Sequence, residues 1–127
     1  MPTALELTHE GWKSYLASAR QRTIPEPTVA EAHMRERLLS RVREAVSVLK
    51  SRFGVRRVIL FGSLAYTSSF ASVSDVDLAV EGLAAEDYWR AWGLAEEVIN
   101  DRPVDLVEME RAGEALRRAI ARHGVEL

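Results

Sequence analysis

Four consecutive apolar residues, Val58-Ile-Leu-Phe61, run straight into a Gly62-Ser63 pair. Side chains in a strand alternate between two faces, so an unbroken apolar run needs cover on both sides of its sheet. This limits the choice of fold sharply. A strand over Val55–Phe61 belongs in the middle of a sheet, with other elements packed above and below it. Gly62 and Ser63 then turn the chain and are expected to open a short helix.

A second apolar run, Asp75–Val80, carries aspartates at positions i and i+2. In a strand Asp75 and Asp77 point to one side, and Val76, Leu78 and Val80 point to the other, where a core can take them. Two carboxylates held together repel each other and contribute little to folding by themselves. A hard divalent cation removes that conflict, because Mg²⁺ takes oxygen ligands and is commonly held by one or two carboxylates plus substrate phosphates. The start of a helix after Gly62-Ser63 would offer backbone N–H groups to a phosphate. Paired carboxylates beside phosphate donors suggest metal-assisted chemistry on a nucleoside triphosphate.

The remaining elements follow from local signals. Residues 1–24 have helical spacing at Trp12, Tyr15, Leu16 and Ala19, and Pro25 and Pro27 break the chain, with 22–27 as a linker. Domains are therefore expected at 1–27, an N-terminal helical extension and linker, and at 28–127. Thr28-Val-Ala-Glu31 has the form of a capping box. The helix it opens should reach about Arg52, with Leu38, Val42, Ala45 or Val46, and Leu49 as its apolar stripe and Gly54 after its end. Tyr66–Ser74 is a short polar segment. Glu86–Asn100 reads as a helix with Tyr88, Trp92, Ala95 and Ile99 on one face. Asp101-Arg-Pro103 breaks it, Val104–Val107 is a third strand carrying Asp105, and Ala112–His123 is a final helix with Leu116, Ala119 and Ile120 inward. Helices alternating with short strands predict an α/β (α+β) class with one small mixed sheet and flanking helices. If the Asp105 strand lies beside the Asp75 strand, three carboxylates meet at one edge.

Composition narrows the function. A chain of 127 residues with 47% hydrophobic and 28% charged residues suits one soluble domain. No cysteine is present, which excludes disulfides and thiolate metal sites. No apolar run suggests a membrane span, and the acidic N-terminus lacks the pattern of a signal peptide, so the cytoplasm is the expected location. The net charge of −2 gives no general pull toward nucleic acid, and direct DNA binding is not expected. The charge is uneven: residues 1–60 carry 11 Lys+Arg against 6 Asp+Glu, and residues 61–127 carry 6 against 13. The acidic half holds the candidate site, as suits a cation-binding face.

Gly62-Ser63, then Ser74-Asp75-Val76-Asp77-Leu78, then Val104-Asp105-Leu106-Val107, in that order, resemble the nucleotidyltransferase superfamily related to DNA polymerase beta. The likeness is greatest to its minimal nucleotidyltransferase group and covers about residues 35–110. The resemblance implies the polymerase-beta-like nucleotidyltransferase fold. It implies that Asp75 and Asp77 bind metal ions, two Mg²⁺ in all, with Asp105 completing the site and acting as base. Ser63 and the backbone at Gly62 would hold the phosphates of ATP. Stand-alone proteins of this group resemble the antitoxin half of pairs with a HEPN-type RNase toxin, which they can neutralise by transferring AMP to a tyrosine hydroxyl. Only one helix follows the Asp105 strand, so the acceptor is expected from a partner or within a homo-oligomer. The alternatives are a non-catalytic antitoxin that acts by binding, and a small-molecule nucleotidyltransferase acting as a dimer.

The chain departs from the group's usual G-S-x-A-x-G loop, which has a basic residue before the last glycine. Here Tyr66 lacks the charge and Thr67 lacks the backbone freedom, so phosphate binding by this loop is expected to be weaker or differently shaped. Each feature also has a plainer reading. Gly62-Ser63 alone is a strand-to-helix turn, Asp75 and Asp77 are turn and edge residues, and Asp105 is a solvated strand residue. His9, His33 and His123 are scattered and read as surface or packing residues. Tyr88, Trp89 and Trp92 read as core or interface residues.

Overall fold

The computed structural model describes residues 28–66 and 75–127. The expected helix over 1–24, the linker at 22–27 and positions 67–74, Thr67 and Ser74 among them, lie outside the described residues. Helix α1, Val29–Phe53, starts where the capping signal places it: the Thr28 hydroxyl accepts the Glu31 N–H at 3.1 Å. It stops at Gly54, whose φ of 67° is the left-handed conformation that glycine adopts without strain. Leu38, Val42, Ala45, Val46 and Leu49 form its buried stripe.

Strand β1, Arg57–Phe61, leads through Gly62 into the one-turn helix α2, Ser63–Tyr66. Strand β2 is Val76–Glu81, and Asp75 sits in the bend just ahead of it. A single 3₁₀ turn at Ala85–Asp87 precedes α3, Tyr88–Ile99. Strand β3 is Val104–Glu108, followed by another 3₁₀ turn and by α4, Glu114–His123. Both helices thus start about two residues later than periodicity predicts: the first turn of α3 is wound more tightly, and Ala112 and Gly113 ahead of α4 are extended. The chain then adds a strand that no pattern announced: β4, Val125–Glu126, pairs antiparallel with β1.

The sheet order is β3-β2-β1-β4. The β1–β2 pair is antiparallel and the β2–β3 pair is parallel, so the sheet is mixed. As the apolar run at Val58–Phe61 requires, both faces are covered. One face, with Val58, Leu60, Val76, Leu78, Val80, Val104 and Leu106, packs on α1 and α3 in the main core. The other, with Ile59, Phe61 and Ala79, packs on Ile120 and Leu116 of α4. Asp77 alternates with the core-facing valines and leucine of β2, so it lies on this second face. Tyr88 and Trp92 are partly buried against the main core, whereas Trp89 is 73% exposed and takes no part in it.

Candidate active site

Asp77 stands in the middle of the sheet, on one rung with Phe61 of β1 and Asp105 of β3. Partners on a shared rung of a parallel pair point to the same face, and neighbouring strands lie about 4.8 Å apart. Asp77 and Asp105 are therefore side by side. Asp75, half-buried, comes two residues earlier on the same side and is near enough to act electrostatically on both. The three aspartates singled out in the sequence thus converge.

The electrostatics bear the mark of that crowding. Burial, then the charges of Asp75 and Asp105, push the Asp77 carboxyl up to about 7. Asp105 is more open to solvent, yet the surrounding protein raises its carboxyl as well, and Asp75 adds to this. Three carboxylates cannot all ionise comfortably at this spacing. Of the two raised carboxyls, Asp77 is the better buried.

Gly62 closes the site from the β1 side. Its φ is +74°, a conformation open to glycine and costly for other residues. A Cβ at position 62 would land on the Asp77 carboxylate, 2.9 Å from its Cγ. The turn and the carboxylate are therefore in direct contact, and only glycine permits it. Ser63 is the first residue of α2 and is half-buried. The Ala65 N–H bonds to the Gly62 carbonyl at 3.1 Å, and Arg35 of α1 donates from Nη2 to the Leu64 carbonyl at 2.7 Å, which ties the turn to the long helix.

The outer margin of β3 is bonded as well. Tyr88 donates its hydroxyl to the Leu106 carbonyl at 2.6 Å, and Trp92 donates Nε1–H to the Val104 carbonyl at 2.9 Å. The Val104 N–H donates to Oε2 of Glu96 at 3.0 Å. Burial, followed by the charges of Asp105 and Glu108, raises the Tyr88 hydroxyl. Sequence reasoning assigned Tyr88 and Trp92 to packing alone and did not single out Glu96 or Arg35. Side-chain periodicity identifies faces; it does not reveal which backbone carbonyl a polar tip will meet.

The sequence model for the nucleotidyltransferase family of polymerase beta matches residues 43–127. The chain belongs to that family. Its fold is the polymerase-beta-like nucleotidyltransferase fold, and the match spans β1 to β4 with the Gly62 turn, Asp75, Asp77 and Asp105 inside it. Among solved structures, a protein assigned as a minimal nucleotidyltransferase shares 30% identity at a TM-score of 0.61, over 73% of this chain and 95% of that one. A chain of the toxin–antitoxin complex MntA-HepT aligns at 21% identity and a TM-score of 0.54, over 69% of each chain. A second crystal structure of that pair aligns at 24% identity and 0.57, over 67% of this chain and 69% of that one. At these identities the last two show likeness of fold. No curated protein matches the chain.

Family members generally use nucleoside triphosphates and divalent metal ions. Among the described residues, no group of three or more carboxylate or imidazole side chains is placed so that it could hold a metal ion by itself. Mg²⁺ does not need one: it keeps several waters and binds through one or two carboxylates plus substrate phosphates. The donor set here is all hard oxygen; burial first, and then repulsion between the aspartates, raises two of the carboxyls, and a cation would relieve the repulsion. The chemistry of these donors is the kind that Mg²⁺ takes.

Proposed function

We propose that this nucleotidyltransferase moves AMP from ATP to a hydroxyl acceptor, a tyrosine of a small helical HEPN-type toxin, and thereby acts as an antitoxin in the cytoplasm. The observation that carries the transfer chemistry is the shared rung of Asp77 and Asp105 beside the Gly62 turn. The partner is suggested by likeness to the MntA-HepT toxin–antitoxin structures. Residues 28–127 are the transferase unit in this reading, and 1–27 an extension to it.

Asp75 and Asp77 hold the ions in this scheme, and Gly62 and Ser63 receive the triphosphate. Bound Mg²⁺ would neutralise phosphate charge and clamp the attacking and leaving oxygens. The acceptor oxygen forms a bond to the α-phosphorus, the bond to the β-bridging oxygen breaks, and pyrophosphate leaves with that electron pair. Asp105 takes the acceptor's proton. A raised carboxyl is a better base, which suits Asp105 to this role.

The test is to incubate the full chain with ATP labelled at the α-phosphate, Mg²⁺ and the product of the neighbouring gene. Label on a tyrosine of that protein is expected, and Asp75→Ala or Asp77→Ala should remove it. A stable complex that stays unlabelled would overturn transfer in favour of neutralisation by binding. Label on a small molecule, formed by a dimer, would overturn the protein acceptor.

A further inference from the structure

We infer that the Tyr88–Trp92–Glu96 stripe of α3 is a positioning device for Asp105, holding β3 at the distance from β2 that ion binding needs. The inference deepens the nucleotidyl-transfer reading above and rests on it.

Among the described residues, strand β3 is at the margin of the sheet and has a ladder on one side only, to β2. A marginal strand is the part of a sheet that yields most easily. Here it carries Asp105, which the charge of Asp75 repels. Something must hold the strand in place. Three hydrogen bonds from α3 go to Val104 and Leu106, the two neighbours of Asp105.

The donors and acceptor sit at i, i+4 and i+8, one face of the helix. They brace Asp105 from outside while the ladder with β2 holds it from inside. Trp89 makes the contrast. It lies on the same helix and edge-on to both neighbouring rings, at 5.2 Å from Tyr88 and 6.0 Å from Trp92, yet it is solvent-exposed. The face of α3, and not its aromatic character, is what reaches the strand.

The experiment compares the wild-type chain with Tyr88→Phe/Trp92→Phe, which keeps the rings and deletes both donors, and with Glu96→Ala and Glu96→Gln. Mn²⁺ binding without nucleotide is measured by electron paramagnetic resonance, alongside kcat, KM for ATP and the thermal midpoint. The double variant and Glu96→Ala are expected to lose about 10- to 100-fold in Mn²⁺ affinity and in kcat, with KM for ATP unchanged. Glu96→Gln keeps an acceptor for the Val104 N–H and should stay near wild type. Folded variants with wild-type Mn²⁺ affinity and kcat would overturn the inference, even if their thermal midpoints fall. Should the double variant not fold, Tyr88→Phe and Trp92→Phe are compared singly by the same criteria. If wild type binds Mn²⁺ but transfers nothing, the proposed function fails and the Mn²⁺ arm still decides whether α3 positions Asp105. If wild type binds no Mn²⁺, both fall.

Discussion

The carboxylate of Asp77 occupies the space that a Cβ on residue 62 would need. Strand β2 and the turn after β1 are thus fitted to each other at the site itself, and the absence of a side chain at Gly62 is part of the fit.

Gly62→Ala should therefore damage the protein in two ways. The positive φ costs about 1–3 kcal/mol for a residue with a Cβ, and the methyl group must displace Asp77. A loss of transfer of about 100-fold is expected from displacement on this scale. The stability costs of Gly62→Ala and Asp77→Ala should not add, because removing the Asp77 carboxylate makes room for the methyl group. Urea unfolding of the two single variants and the double variant checks this.

Stability of the metal-free protein should fall as pH rises through the range from 3.8 to about 7 set by Asp77. In that window the native chain keeps a proton that the unfolded chain has shed, so rising pH favours unfolding. Asp105 acts in the same direction. Glu110, whose carboxylate accepts the Gly82 N–H, has its carboxyl lowered and acts in the opposite sense at more acid pH. The Asp77 effect should be on the order of 1–2 kcal/mol once solvent screening is allowed for. Thermal midpoints across this range should show a decline that saturating Mg²⁺, or Asp77→Asn, flattens.

Changes at the ends of α1 should separate stability from activity. Thr28→Ala removes the bond to the Glu31 N–H and should cost about 1 kcal/mol. Gly54→Ala meets no atom of the described residues within 4 Å, so its cost, about 1–2 kcal/mol, is that of the left-handed backbone. Neither the Thr28 cap nor the Gly54 turn involves the aspartates, and kcat and KM for ATP should not change.

Arg35→Met should do the reverse. It deletes the bond to the Leu64 carbonyl that holds the one-turn helix after Gly62. If this turn receives phosphates, KM for ATP should rise several-fold while kcat falls less, the sign of weakened ground-state binding. Steady-state kinetics with the labelled transfer assay measures both.

How much was readable in advance depended on how local each signal was. Thr28 and Gly54 mark the ends of α1 because capping involves residues a few positions apart. The doubly covered strand at Val58–Phe61 followed from composition along the run. The rung shared by Asp77 and Asp105 did not, since pairing and register join residues far apart in sequence. That Asp105 joins the other two was stated only as a condition on strand order, which resemblance to a known family supported. Strand β4 escaped because two residues carry no periodicity. Trp89 was expected inside or at an interface on residue type, and its position on α3 excludes the first of these.

The bonds that α3 makes to Val104 and Leu106 also bear on how the molecule meets other chains. An unprotected strand invites foreign peptides to add themselves to the sheet, which is a common route to aggregation. With Tyr88, Trp92 and Glu96 already in those places, an intruding strand would have to evict them first. The chain can therefore keep the strand that carries Asp105 at its rim without offering it as a template.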